Sequence, residues 1–196
     1  MFVSFEGIDG SGKSTQAQML ATALGEDTVL VREPGGTPAG ERIRELLKDP
    51  ELELAPRTEL MLFLAARAEL VETVIKPALE AGRDVVCDRF LDSTVAYQGA
   101  ARGLGVELVS TLNDVAIAGC IPDRTVLLLL DGDQAAGRGA GRGGWGADRF
   151  EREGEEFRDS LTAAFAALAR AEPERIAVDD GDPDAVHAQV LEQLGL

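Results

Sequence analysis

The sequence predicts an α/β domain built on a five-stranded parallel sheet with helices on both faces. Five short apolar runs alternate with segments of helical periodicity, which is the βαβ pattern of a sheet buried on both sides. The first run leads directly into Gly7-Ile8-Asp9-Gly10-Ser11-Gly12-Lys13-Ser14, which fits GxxxxGK[ST] at every fixed position. The 196 residues, 45% hydrophobic and 28% charged, suit a single domain spanning 1–196 that buries about 70% of the surface of its unfolded chain. No internal repeat or interdomain linker interrupts it.

Residues 1–6 read as a buried first strand, and residues 14–24 as a helix whose N-terminus faces the glycine loop. A strand at 28–32 ends in the turn Glu33-Pro34-Gly35-Gly36-Thr37, which opens a helix over 39–48. The apolar spacing of Leu60, Phe63, Leu64, Ala68, Val71 and Val74 predicts a longer helix over 58–81, capped by Gly82. A strand at 84–88 delivers Asp88 and Arg89 at its carboxyl end, and helical stretches follow at 93–101 and 106–118. The most apolar strand is 125–131. Residues 132–147 then lose all periodicity and hold seven glycines, Arg138, Arg142 and Trp145. A helix at 150–171, a strand at 175–179 and a helix at 183–194 complete the chain. Ligands of such sheets bind outside the carboxyl ends of the strands, so the turns after Glu6, Arg32, Asp88 and Asp131 are expected to share one functional rim.

Composition excludes several classes of function. A net charge of −16, from 35 acids against 19 bases, argues against a polymeric nucleic acid partner. No apolar run approaches the roughly 20 residues of a membrane span, and with a strand starting at once no leader is expected, so the expectation is a cytoplasmic protein with no membrane partner. Cys87 and Cys120 form neither a zinc cluster nor a disulfide framework and read as buried apolar fillers. The single histidine, His187, belongs to the last helix, far from the loop, which speaks against histidine acid/base chemistry. Apart from Lys13, Lys48 and Lys76 the basic residues are 16 arginines, suited to bidentate phosphate contacts, although GC-rich coding gives the same bias.

The candidate chemistry is phosphoryl transfer. Glycines let the loop backbone turn its N–H groups on one anion, Lys13 supplies charge to the β- and γ-phosphates of ATP, and the Ser14 hydroxyl is placed to ligand Mg²⁺. The ATP site is therefore expected over Gly7, Ile8, Asp9, Gly10, Ser11, Gly12, Lys13, Ser14 and Thr15. Asp88 ends its strand as a Walker B acid does, able to hold Mg²⁺ through water or to accept a proton, with Arg89 beside it able to reach a phosphate; a local Asp88–Arg89 ion pair is the alternative. The glycine-rich stretch, about 132–149, reads as a lid that brings Arg138 or Arg142 to the phosphates, or else as a plain loop. Arg149 either joins them or braces the lid. Phe63 and Arg67, four residues apart on one helix face, offer a ring to stack on a base and a donor for its carbonyl edge, though phenylalanine alone is more often core.

Residues 5–16, 32–37, 62–67, 88–90 with 93–99, and 148–151 together resemble, in order and spacing, the thymidylate kinase family of the bacterial type. The resemblance runs from residue 2 to about 179. It implies a P-loop nucleoside monophosphate kinase fold with a lid, and transfer of the ATP γ-phosphoryl group to dTMP, giving dTDP for dTTP biosynthesis, with Mg²⁺. It also implies that Phe63 stacks on thymine, Arg67 meets O4, Thr94 and Gln98 reach the base edge, and Tyr97 packs near the deoxyribose. Asp9 and Glu33 would sit by the sugar and the Mg²⁺ region, and Arg44 and Arg89 would grip the dTMP phosphate; spacing alone does not choose Arg44 over Arg42. A homodimer built on helices is implied as well, and the apolar face of 106–118 fits that or the core. Some family members carry an arginine where this loop has Gly10, so the catalytic positive charge is expected from the lid, through Arg138 or Arg142. The competing readings are another nucleoside monophosphate kinase and a nucleotide switch without an acceptor; no Asn-Lys-x-Asp guanine signature supports the latter.

Overall fold

Strands β1 (Phe2–Glu6), β2 (Val29–Arg32), β3 (Val85–Asp88), β4 (Arg124–Leu129) and β5 (Arg175–Asp179) form one parallel sheet in the order β2-β3-β1-β4-β5. The computed structural model describes residues 1–129, 149–150, 152–171, 175–179 and 181–196. The register aligns Phe5 with Asp88 and with Val126, and Arg32 with Asp88, so Glu6, Arg32 and Asp88 end at one edge. That edge is the rim expected from the sequence for the turns after Glu6, Arg32 and Asp88; the expected turn after Asp131 lies outside the described residues.

Side chains alternate across the central strand with period two, and each face meets its own set of helices. Val3 and Phe5 join Leu20, Val86, Val126, Ile176, Val186 and Val190 under helices α1 (Lys13–Leu24) and α8 (Pro183–Leu194). Phe2 points the other way, into a cluster with Leu70, Val71, Ile75, Val85, Phe90 and Ile117. Cys87 and Cys120 lie free and buried in that second cluster, as apolar fillers.

Helix α2 (Pro38–Lys48) starts with the Thr37 hydroxyl accepting from the Gly40 N–H at 2.9 Å and Pro38 in the first turn. Helix α3 (Pro56–Leu70) continues through a wide π-helical turn, Val71–Ile75, into α4 (Lys76–Glu80). The wide turn ends two residues before Pro77, which has no N–H to donate and whose ring crowds the preceding turn. Gly82 closes the helix at φ +73°, its N–H reaching the Leu79 carbonyl at 2.9 Å while the Arg83 N–H reaches that of Ala78 at 3.0 Å. A second wide turn, Val95–Ala101, follows the short α5 (Leu91–Thr94) and precedes α6 (Val106–Ile117).

Helix α7 is Glu155–Ala171, so the expected start at residue 150 is five residues early. Phe150 instead sits in a turn, its carbonyl accepting from the Glu153 N–H at 3.2 Å, and its ring is held against Phe63 and Tyr97. The helix begins after Gly154 with Glu155 and Glu156, acids that suit the positive end of its dipole. Arg138, Arg142 and Trp145 lie outside the described residues, as does the whole expected lid except Arg149. No helix among the described residues is long and apolar enough to cross a membrane.

Leu20 is fully buried between α1 and the sheet. Leu20→Ala is expected to lower unfolding stability by about 2–5 kcal/mol, whereas Leu196→Ala, at a position 58% exposed, shifts it by about 0.5 kcal/mol or less in the same denaturant titration.

Candidate active site

The glycine loop joins β1 to α1 at the centre of the rim. Gly7, at φ +140°, passes so close to β4 that an added Cβ would lie 2.5 Å from the Leu128 carbonyl oxygen. Gly12, at φ +93°, is the N-cap of α1 and offers no side chain to its first N–H groups, which leaves them for an anion. Lys13 is buried behind this turn, donating to the Ile8 carbonyl at 2.6 Å. Burial, and then the neighbouring Arg89, pull its ammonium down to about 8, against the opposing pull of Asp9, Asp88 and Glu6.

Ser14 donates its hydroxyl hydrogen to Asp88 Oδ2 at 2.5 Å, so the two groups nominated for a metal are already neighbours. Both are hard oxygen donors. The described residues contain no cluster of three or more acids, histidines or cysteines able to cage a metal. One carboxylate and one hydroxyl fit Mg²⁺, which keeps waters and substrate phosphate oxygens in its shell.

Arg89 is held at φ +73°, unusual for a residue with a side chain, and its N–H is fixed on the Phe5 carbonyl at 2.9 Å. This backbone turn sends the guanidinium across the loop, where it donates to Asp9 Oδ1 at 2.6 Å, Ser93 Oγ at 2.8 Å and the Gly7 carbonyl at 3.1 Å. Arg89 therefore pairs with Asp9, while Asp88 holds Ser14, in place of a local Asp88–Arg89 pair. Asp9 also accepts from the Tyr97 hydroxyl at 3.2 Å.

Two joined chambers open here. A polar one of about 250 Å³ lies over Lys13, Ser14, Arg32 and Asp88; a less polar one of about 270 Å³ is lined by Phe63, Arg67, Thr94, Tyr97, Gln98 and Phe150. Asp9, Glu33, Arg44 and Arg89 border both. Arg44 donates to the Pro34 carbonyl at 3.0 Å, whereas Arg42 is exposed and lines neither chamber. Phe63 is half-buried, its ring 6.0 Å from Phe150 and one side on the cavity.

Arg67 is only 1% exposed. Its Nε and Nη2 donate to Glu33 Oε2 at 2.9 and 2.6 Å, Nη2 also to the Phe90 carbonyl and Thr94 Oγ1 at 2.7 and 2.8 Å, and Nη1 to Asn113 Oδ1 at 2.5 Å. Burial pushes the Glu33 carboxyl up and the Arg67 guanidinium pulls it back.

Four groups that hold this site were missed by sequence reasoning. Asn113 anchors Arg67. Glu6, fully buried at the end of β1, accepts from the N–H groups of Phe90 and Asp92 and from Ser93 Oγ, at 2.8, 3.0 and 2.5 Å. Burial and the nearby Asp92 raise its carboxyl to about 7. Asp92 takes a two-pronged contact from Arg175 at 2.7 and 2.9 Å. Glu59 accepts from Gln98, Arg102 and Arg149. An acid closing an apolar strand was a readable signal for Glu6; the other three have partners too distant in sequence. Arg149 lines neither chamber, donating to Glu59 at 2.5 Å and the Leu47 carbonyl at 3.1 Å, which is a bracing position.

The family model described as Thymidylate kinase matches residues 5–190 of this chain. A thymidylate kinase of Dinoroseobacter shibae is 50% identical over 98% of this chain and 95% of its own length. One of Solidesulfovibrio magneticus is 49% identical over 100% of this chain and 99% of its own. Among solved structures, the crystal structure of thymidylate kinase from Ehrlichia chaffeensis superposes with a TM-score of 0.82 at 34% identity, covering 100% of this chain and 98% of that one.

The low ammonium value at Lys13 sets a pH dependence. Tripolyphosphate binding is expected to be constant below pH 8 and to weaken above it by up to about tenfold per unit, as the free protein loses the Lys13 proton that the anion requires. Calorimetric titration from pH 6.5 to 9.5 checks this, with Lys13→Met showing no such break.

Proposed function

The chain belongs to the thymidylate kinase family, and from that premise we infer that it transfers the γ-phosphoryl group of ATP to dTMP, giving dTDP and ADP. The observation that supports this reading most is the convergence of Asp9, Glu33, Arg44, Phe63, Arg67, Arg89, Thr94, Tyr97 and Gln98, from separated segments, on one cleft beside the glycine loop.

In this reading the triphosphate of ATP lies on the N–H groups of the loop and of α1, from Gly7 to Thr15, with Lys13 on its terminal oxygens. Ser14 and Asp88 hold Mg²⁺, which supplies positive charge to the phosphate oxygens. The dTMP phosphate sits at the junction of the two chambers, between Arg44 and Arg89, where Asp9 keeps the Arg89 guanidinium aimed. The base enters the less polar chamber and stacks on Phe63. Arg67 uses the second hydrogen of Nη1 for O4, and Thr94 and Gln98 address the same edge. Tyr97 supports the sugar. Two anionic phosphates are thereby aligned by fixed cations, which is the main requirement of phosphoryl transfer. Additional charge on the transferred group is assigned to Arg138 or Arg142, and Arg149 to bracing.

We assign the working form to a homodimer in the cytoplasm. Val106, Leu108 and Val115 on α6, with Met61 on α3, present apolar side chains to solvent, and a second copy would cover them.

The test is initial-rate ADP formation with MgATP and each of dTMP, dUMP, dCMP, dGMP and dAMP. dTMP is expected to lead. dUMP follows by a factor of about 10–200, the worth of one methyl group in an apolar pocket, and Arg67→Ala lowers kcat/KM for dTMP by about 100-fold or more. A chain stimulated best by a purine monophosphate would be a different kinase of this fold; one stimulated by none would have lost the acceptor assignment altogether.

A further inference from the structure

We propose that Glu59 is a positioning residue that fixes which end of the Gln98 amide faces the nucleobase, and so selects thymine or uracil against cytosine. The proposal rests on the dTMP reading above and adds a residue that lines neither chamber.

Glu59 is fully buried on α3. Its Oε1 accepts from Gln98 Nε2 at 2.7 Å and from Arg102 Nε at 3.2 Å; its Oε2 accepts from Arg102 Nη2 at 3.2 Å and Arg149 Nη1 at 2.5 Å. Two guanidinium groups balance the charge, and Arg102 is itself held by Glu153 at 2.6 Å. A glutamine amide has a donor end and an acceptor end of nearly the same shape, and rotation by half a turn exchanges them. An ionised carboxylate only accepts. Opposite Glu59, therefore, the amide has one stable orientation, with its NH₂ on Glu59.

Gln98 lines the nucleoside chamber, so the end left for a ligand is its carbonyl oxygen. A pyrimidine whose ring N3 carries a hydrogen can donate to that oxygen. Thymine and uracil have this hydrogen, while cytosine has a bare lone pair at N3 and would set one acceptor against another. Arg67 makes the same choice one atom away, because its donors suit a carbonyl at C4 and oppose an amino group. The two residues are set by acids, Arg67 by Glu33 and Gln98 by Glu59, and neither polarity depends on the ligand being present.

Glu59→Gln removes the constraint in a specific way. The oxygen of the new amide is claimed by Arg102 and Arg149, which leaves its NH₂ toward Gln98, and Gln98 then turns its own oxygen inward and its NH₂ to the chamber. The measurement is kcat/KM for dTMP, dUMP and dCMP in the full chain, Glu59→Gln and Glu59→Asp. In Glu59→Gln the dTMP to dCMP ratio is expected to fall about 100-fold, with Arg67 retaining the remainder, while the dTMP to dUMP ratio holds within about twofold because both bases carry the N3 hydrogen. Glu59→Asp, still an obligate acceptor, is expected to keep the dTMP to dCMP ratio within about threefold whatever its overall rate. Equal losses on dTMP and dCMP in Glu59→Gln would overturn the proposal and leave Glu59 as a packing residue. Failure of the unaltered chain to use dTMP would instead overturn the reading of the reaction, and the selectivity role with it. Should Glu59→Gln not fold, the side-chain amide signals of the unaltered chain decide, with Gln98 assigned by their loss in Gln98→Leu. A Gln98 NH₂ protected from exchange before dTMP is added supports the proposal, and one that exchanges freely contradicts it.

Discussion

The buried ion pair between Arg67 and Glu33 ties the last turn of α3 to the end of β2, and both residues line the nucleoside chamber. A guanidinium 1% exposed is tolerable in a low-dielectric interior only with a carboxylate on it and its other donors engaged. Glu33 supplies the charge, while Thr94, Asn113 and the Phe90 carbonyl supply the rest, drawing the segment after β3 and helix α6 onto the same point. Removal of either partner strands the other, so the pair fixes geometry more than it adds stability.

The same arrangement recurs around the rim. Asp9 holds Arg89, Asp92 holds Arg175, and Glu59 holds both Arg102 and Arg149. Part of the acid excess that marks the composition is therefore structural. Asp9 and Glu33 hold arginines that line the chambers, Asp92 and Glu59 hold arginines that line neither, and Lys13, Arg44 and Arg89 remain directed at the phosphate region. Such a site is set before substrate arrives, which is where the largest catalytic gains in phosphoryl transfer originate.

Local signals made much of this visible in the sequence. The glycine loop, the alternating strands and the Pro183 helix start depend on neighbours a few residues apart, and periodicity and capping report on those. The wide turns at 71–75 and 95–101 are hydrogen-bonding choices that periodicity does not distinguish from α-helix. Phe150 carried an apolar signal that extended a helix too far, because its ring serves Phe63 and Tyr97 across the chain. The buried acids were missed for a related reason. Glu59 sits beside Leu60 and reads as a polar break in an apolar stripe until Arg149, ninety positions on, comes to meet it. Arg44 and Arg42 differ only in which side of α2 meets the Pro34 carbonyl, and two arginines two residues apart give no sign of that.

An acid lining the chamber sets the donor that reads the base. Calorimetric binding of dTMP and, separately, of MgATP to the unaltered chain and to Glu33→Gln tests it most directly. Glu33 lies next to both chambers but pairs with the arginine of only one. dTMP affinity is expected to fall by about tenfold or more while MgATP affinity stays within about threefold, because only the Arg67 donors are released. Equal weakening of both ligands, or unchanged dTMP binding, would contradict it.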